Sequence, residues 1–534
     1  VFILDIFSDI IKKVNNDKEK IAKNKKLPIS IRTIVRMYPA NQANRLYYGG
    51  LPHIGNALWG AWSSDEVQKA AEAYENYSLS TNLLIKGLSP PVSSKIRLGG
   101  GSPAKFQPFK QCLVDIESTI QNRVLSDYPL AAGDDQAKLP IIAYYDLKYS
   151  KKITENNIIF THSSTHAFTL VMEAILDYGD VVLMTAPNYG LFTFIPERVG
   201  GRLRLLELSA KDDWKINPKK LKKLINEINI ELKADYDRNR GKYIFRRSDL
   251  APKISAFVNY NPHNPTGVVY SKKDKSLLVE ISSICKDAGI FVVDDLAYSG
   301  LEYDRKNIAL PICSLDGHFD NTITLYTLSK SYGLAGLRSG VIVANEIVSS
   351  YIRDRIFQAS DSLSILQSSA MSTVFKVDED SQVEREKYFS YITQEYYERF
   401  IFVKGIVSGF GSLKSSEVGL LDSIIQKNNL CISMDSQMSG INSASIVVEP
   451  QSGFFVLLDL TKLIGKSYKG FKINDDKSLL QFLYTADNIK VLTGNAFCWT
   501  DGSQLIIRAT IAQDYKDILD GFLRLKSSIE LLEN

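Results

Sequence analysis

Three things are scarce in this 534-residue chain: cysteine, long apolar runs, and an excess of charge of either sign. The five cysteines, Cys112, Cys285, Cys313, Cys431 and Cys498, are an odd number, far apart, and form no CxxC pair. That excludes a disulfide framework and a zinc site of the usual spacing, and it fits a reducing, cytoplasmic compartment. No apolar run reaches the roughly 18 residues that a membrane-spanning helix needs. Val1 to Ile11 is apolar, but Asp5 and Asp9 interrupt it and no small-residue cleavage site follows. It reads as an amphipathic helix entering the lysine-rich stretch Lys12–Lys26, not as a signal peptide. The chain opens on Val1 and not on Met, which leaves a preceding segment open. A net charge of +4 over so long a chain argues for neither nucleic acid nor membrane as a partner.

What is present is ordinary globular material, 45% hydrophobic and 23% charged, enough for large cores. At about 100–200 residues per domain, the length allows two to four domains. Between about residues 110 and 345, short apolar runs alternate with helical patterns. Ile158–Thr161, Val181–Met184, Ile254–Asn259, Ile290–Asp294 and Thr322–Thr327 read as buried strands of a mainly parallel sheet, with helices such as Leu170–Leu176 and Lys275–Ala288 between them. This is an α/β architecture, which binds ligands at the carboxyl ends of its strands. After Ala344 the rhythm changes. Ile347–Phe375 reads as one long helix and Tyr388–Val407 as another; Gly453–Leu460 and Leu505–Ala512 read as strands, and Lys516–Leu532 as a closing helix. The expected division is an N-terminal extension over 1–95, a large domain over 96–345 and a smaller α+β domain over 346–534. Two polar stretches, Asn226–Asp249 and Lys414–Ala444, read as insertions.

Four segments can do chemistry. In Thr327-Leu328-Ser329-Lys330-Ser331-Tyr332-Gly333, a lysine stands just past a buried strand, where desolvation leaves a neutral, nucleophilic amine. Arg338, eight residues on, offers a planar fork suited to phosphate. In isolation such a lysine is more often simply solvated. Asn261-Pro262-His263-Asn264-Pro265-Thr266-Gly267 makes an ordered turn after a strand, and a carboxamide held there can donate to a phenolate oxygen; as a lone motif it is only a turn. Asp294-Asp295-Leu296-Ala297-Tyr298 ends another strand with a buried carboxylate that wants a cation, unless it merely caps a helix. In Thr161-His162-Ser163-Ser164-Thr165-His166, hydroxyls and free N–H groups at a helix start suit an anion, or else an N-cap. His162 and His166 have i, i+4 spacing, but without a third ligand no metal is expected.

Together, in this order and spacing, from about Ile96 to Ala512, these segments resemble the aspartate-aminotransferase superfamily: fold-type I, pyridoxal-phosphate (PLP)-dependent enzymes of aminotransferase class I/II. The resemblance implies PLP attached to Lys330, which also shuttles the substrate proton. It implies Asp295 opposite the pyridine nitrogen and Tyr298 and Asn264 as donors to the 3′ oxygen, which keep the proton affinity of the lysine–cofactor linkage low. Tyr189 would stack on the ring, and Ser164, Thr165, Thr327 and Arg338 would form the phosphate cup. Arg508 would grip the substrate α-carboxylate, Gly101 would lie in the segment covering the substrate, and Tyr128 would reach the phosphate of a neighbouring subunit. The implied protein is a homodimer with shared active sites that moves an amino group between an amino acid and a 2-keto acid in a ping-pong cycle.

The chain departs from the family pattern at Ser163, where many members carry Gly, and at Leu139-Pro140, where members often have a Leu-Arg pair. It assigns no second, side-chain-recognising arginine; Arg353 and Arg355 have no role. A PLP lyase or decarboxylase, similar to the aspartate 4-decarboxylase branch, would share every cofactor residue. Thr266-Gly267 after the asparagine turn favours transamination over it. A transcription regulator using this fold as a sensor would need a DNA-binding domain within residues 1–95, and no helix-turn-helix pattern stands there.

Overall fold

The sheet is built from runs of four to seven mostly apolar residues, and a computed structural model places seven of them side by side. The structure describes residues 64–532, except 79–82, 104, 124, 244–245, 249 and 431–438. The expected helix at Val1–Ile11 lies outside the described residues, as do Cys431 and most of the N-terminal extension. The strands are β1 (Ile158–Thr161), β2 (Val181–Ala186), β3 (Arg202–Glu207), β4 (Ile254–Tyr260), β5 (Phe291–Asp295), β6 (Thr322–Thr327) and β7 (Gly340–Val343). Their order across the sheet is β1-β7-β6-β5-β4-β2-β3. All neighbours run parallel except β7, which is antiparallel to both β1 and β6. Every residue of β1, β2, β4, β5 and β7 is buried, the reason these runs lack polar alternation.

Two strands were not expected. β3 is one of the two edge strands, and its two arginines and a glutamate hide its apolar residues in the sequence. β7 is only four residues long, directly behind the loop that holds Arg338.

The helices of nine residues or more among the described residues are, in chain order, α1 (Ser64–Ser78), α2 (Lys110–Asn122), α3 (Asp135–Tyr149), α4 (Ser164–Ile175), α5 (Pro218–Arg238), α6 (Lys275–Asp287), α7 (Glu346–Ser360), α8 (Ile365–Thr373), α9 (Glu379–Ser408), α10 (Ser415–Lys427), α11 (Asp476–Asp487) and α12 (Tyr515–Glu530). One face of the sheet is covered by α2, α3, α4, α7 and α8, the other by α5 and α6. The stretch read as one helix over Ile347–Phe375 is two helices. Asp361, with φ of 60°, ends the first, and the Ser364 hydroxyl accepts the N–H of Leu366 to start the second. The stretch read as an insertion from Asn226 begins as the second half of α5. Asn217 caps that helix, Pro218 opens it, and Leu221, Ile225, Ile228 and Leu232 bury its inner stripe.

A second core gathers α9 to α12 around a four-stranded antiparallel sheet that contains β8 (Ser445–Ile446), β9 (Phe455–Asp459), β10 (Leu492–Thr493) and β11 (Ile506–Thr510). Leu83, Ile85 and Leu98 pack into this core, and Ile96–Arg97 pairs in parallel with Ile489–Lys490. The chain therefore enters the second core before it builds the first sheet, then returns to it after α8. Val348, Ile352, Met371 and Phe375 remain packed with the seven-stranded sheet. Among the described residues no helix is long and apolar enough to cross a membrane.

Candidate active site

Every strand of the large sheet except β7 points the same way, so each releases its chain at the same edge of the sheet. The turn after β1 delivers Ser163, Ser164 and Thr165; the turn after β2 delivers Tyr189 and that after β4 delivers Asn264. Asp295 ends β5 with Tyr298 just beyond, and Lys330 follows β6. Because β7 runs the other way, its first residue, Gly340, sits at this edge too and brings Arg338 with it. All these residues, with Thr327, line one cavity. Arg508 and Gly101 join it from outside the sheet, within reach of Asn264 and Lys330.

Lys330 is the centre of the group. Its Nζ donates to the carbonyl of Gly101 at 2.5 Å. Burial pulls the ammonium down to about 8, the charges of Arg508 and Arg338 add to this, and Asp295 opposes it. A substantial fraction of neutral amine near neutral pH is what attack on an aldehyde requires.

Asp294 and Asp295 point to opposite sides, as neighbours on a strand must. Asp294 is a structural carboxylate: Asn259 Nδ2 donates to it at 2.7 Å and the N–H of Ile312 at 2.8 Å. Asp295 faces the cavity, where the N–H of Ala297 donates to it at 3.1 Å. Burial pushes its carboxyl up to about 7, against the Ala297 N–H and with the help of Asp294. The charge of Lys330 only partly offsets this burial, so this end of the cavity suits a further cation.

The opposite end suits an anion. Ser164 and Thr165, in the first turn of α4 where backbone N–H groups lack intrahelical partners, line this end, and Arg338 stands exposed at the rim. Arg338 Nη2 donates to Ser163 Oγ at 2.8 Å. Ser163 has φ of 121°, a conformation glycine favours, so the departure from the family's Gly keeps the glycine-type backbone and adds a hydroxyl for Arg338. The Thr327 hydroxyl donates to the carbonyl of Ser339 at 2.9 Å, which ties the Lys330 loop to β7. Ser329 Oγ, 3.0 Å from Thr327 Oγ1, also lines this end and was not singled out from the sequence.

Arg508 lies on β11, opposite Leu457 and Leu492. Its guanidinium covers the face of Phe455 at 3.9 Å, reaches Asn264 Oδ1 and Gly99 O at 3.2 Å each, and is 5% exposed. Nε is buried and has no hydrogen-bond partner among the described residues. A fork held this way, with donor capacity to spare, suits a carboxylate. Tyr74 on α1 packs beside the Tyr189 turn, its ring 3.3 Å from where a Cβ on Gly190 would stand. Burial raises its phenol to about 12, against the charge of Arg508, with Tyr189 and Cys498 adding to the rise. A tyrosine in a helix of polar character carries no sequence signal for such a place.

Tyr128 stands apart. It is 85% exposed and does not line the cavity of its own chain. His166 accepts the N–H of His162 on Nδ1, and burial lowers its imidazolium to about 4. Among the described residues no cluster of three or more His, Cys, Asp or Glu is placed to hold a metal.

A carboxylate wanting a cation, an anion-binding helix start at the far end and a depressed lysine between them match the three functional parts of PLP: ring nitrogen, phosphate and aldehyde. Fold and site together thus fit an α/β protein that takes a flat, anionic cofactor with an aldehyde. The sequence pattern of aminotransferase class I and II matches residues 93–396. The chain is 28% identical over 254 residues to the glutamate-pyruvate aminotransferase AlaA of Haemophilus influenzae, which covers 47% of this chain and 54% of that protein. It is 25% identical over 343 residues to an aspartate aminotransferase of Bacillus subtilis, 63% of this chain and 79% of that one. In structure, the aspartate aminotransferase of Rhizobium meliloti covers 88% of this chain and 96% of its own, with a TM-score of 0.63 at 17% identity. The chain spans about half the length of the AlaA proteins it matches. The chain belongs to the aminotransferase class I and II family, whose cofactor is PLP.

Proposed function

We propose that this chain is a PLP-dependent aminotransferase that exchanges an amino group between an amino acid and a 2-keto acid. The observation that carries this reading is the convergence of Lys330, Asp295, Asn264, Tyr298 and Arg338 on one cavity at the strand ends, with Arg508 beside it. When bound, PLP would supply an aldehyde for amines and a ring that withdraws electrons from the substrate's Cα. Asp295 would hold the ring nitrogen protonated, and Asn264 and Tyr298 would donate to the 3′ oxygen. Tyr189 would pack on the ring face. Arg338, Ser164, Thr165 and the start of α4 would hold the phosphate, with Thr327 fixing the loop beside it. Arg508 would fix the substrate carboxylate and so turn one Cα substituent toward Lys330. Lys330 Nζ would then take the Cα proton and return it one carbon away, the step that separates transamination from simple binding.

Several supports belong to the same reading. Tyr128 is exposed enough to reach a neighbouring copy, and Leu113, Val114, Ile120, Leu125, Leu130 and Leu139, close to it in sequence, are exposed too. We read this surface as the contact of a homodimer with shared sites. The division into a cofactor-binding unit and a smaller C-terminal unit is supported by the two cores, with a boundary nearer Phe375 than Ala344. A cytoplasmic location is supported by Cys112, Cys285, Cys313 and Cys498, which are free and buried.

The test is a single turnover. Protein loaded with PLP, freed of excess cofactor and mixed with a panel of amino acids should lose its visible absorption band with its donors and release one keto acid per site. Carbon dioxide or an eliminated group in place of the keto acid would refute transamination, and no visible band after loading would refute the cofactor.

A further inference from the structure

His263 sits inside the asparagine turn with no role in the reading so far. It is 4% exposed, and its ring lies edge-on to Tyr260 at 5.7 Å. Both ring nitrogens meet hydroxyls: Nδ1 is 2.9 Å from Thr266 Oγ1, and Nε2 is 3.2 Å from Thr185 Oγ1. The outer partners decide which nitrogen carries the proton. Thr185 Oγ1 donates to the carbonyl of Pro187 at 3.0 Å, so its own proton is committed and it accepts from Nε2–H. Thr266 Oγ1 accepts the N–H of Val268 at 3.3 Å, which leaves its proton for Nδ1. One directed chain results, from Val268 N–H through Thr266, His263 and Thr185 to Pro187. Burial holds the imidazolium down to about 3, against the Pro187 carbonyl, so the ring is neutral at any working pH.

The place of this chain matters more than its length. Strands β2 and β4 are neighbours, but their pairing runs no further than Met184 opposite Val258. Beyond that pair the two strands deliver the Tyr189 turn and the Asn264 turn, and the imidazole bridges them. We propose that His263 is a positioning residue, a neutral Nε2–H imidazole that locks the Asn264 carboxamide and the Tyr189 ring into one fixed geometry around Lys330. The inference rests on the reading of Asn264 and Tyr189 as cofactor contacts. It assigns the lateral tie of the site to one side chain that touches neither cofactor nor substrate.

The test compares His263→Leu, which leaves both threonine hydroxyls buried without a ring partner, with His263→Gln and His263→Asn, each of which keeps one of the two bonds. The main readout is the pH midpoint of the visible cofactor band, because a displaced Asn264 no longer stabilises the unprotonated linkage. The midpoint should rise in the Leu variant and rise less in the Gln and Asn variants, while kcat falls roughly ten- to hundredfold in the Leu variant. KM for the amino acid should change less than kcat, since Arg508 keeps Gly99 O and the face of Phe455 when Asn264 moves. A Leu variant that binds PLP with an unchanged midpoint and a kcat within twofold of the parent would overturn the proposal. Should the Leu variant fail to fold, unchanged midpoints in both the Gln and Asn variants would overturn it equally. A parent protein with no cofactor band at all would instead refute the function proposed above, so the two failures are distinguishable.

Discussion

At the scale of the residue, the chemistry rests on two groups pulled from their ordinary ionisation by burial. The Lys330 ammonium, brought down to about 8, makes a kinetic statement about the apoprotein. The neutral amine is the reactive form, and its fraction grows about tenfold per pH unit below 8 and levels off above it. Uptake of PLP, followed by the growth of its visible band, should therefore rise from pH 6 to about pH 8 and then plateau. A rise continuing to pH 10 would mean an ordinary, solvated lysine. Asp295 makes a thermodynamic statement. Its folded value of about 7 lies above the unfolded 3.8, so its burial costs nothing below pH 4, when both states are protonated. As pH climbs toward 7 the unfolded chain ionises first, and the folded apoprotein loses stability by up to a few kcal/mol. Apoprotein carrying Asp295→Asn should thus melt higher than the parent at pH 8 and at the same temperature at pH 4. The loaded variant should lose roughly a hundredfold or more in kcat. Equal melting curves at both pH values would contradict the assignment. Most of these residues were legible in the sequence because motif order and spacing marked them. Phe455 was not, since it meets Arg508 through tertiary packing with no local pattern around it, and Ser329, inside the Lys330 motif, was passed over between Thr327 and Lys330.

At the scale of the element, the site depends on where strands stop. The turn between β1 and α4 is pressed against the start of β7: a side chain on Gly340 would place its Cβ 2.7 Å from the Ser163 carbonyl carbon. Gly340→Ala should push this turn out of place, cost about 1–3 kcal/mol of stability and weaken PLP binding, measured by equilibrium dialysis. Ser163→Gly separates two effects. It relieves the backbone at φ 121°, which should stabilise the apoprotein by about 1–3 kcal/mol. It also removes the hydroxyl that Arg338 uses at 2.8 Å, which should weaken PLP binding. A variant that gains on both counts would mean that the hydroxyl does nothing for the cofactor. The sequence pattern marked five strands of the large sheet and failed on two, for reasons the fold supplies. An edge strand such as β3 needs no continuous apolar run, and β7 is too short to stand out from the Arg338 loop. The break at Asp361 was hidden because helical periodicity resumes on the same core four residues later.

At the scale of the whole molecule, the site is assembled between two cores. The sheet edge supplies Lys330 and the residues proposed to hold the cofactor; β11, with its neighbour Phe455, supplies Arg508; and the turn at Gly99–Gly101 meets Arg508 and Lys330 with its carbonyls. Such a division was visible in the change of sequence rhythm after Ala344, but α7 and α8 stay with the first core because their apolar faces meet the sheet. Tyr128 and the exposed leucines close to it in sequence belong to this scale as well. The protein should sediment at twice the chain mass, and Tyr128→Phe should weaken PLP binding while the mass stays double. A monomer with full activity would contradict the shared site.

The central claim is that one lysine, Lys330, holds the cofactor. Loading the protein with PLP, reducing it with borohydride and mapping the modified peptide by mass spectrometry tests it directly. The expected result is a single pyridoxyl group on Lys330; a pyridoxyl group on any other lysine, or on none, would contradict it.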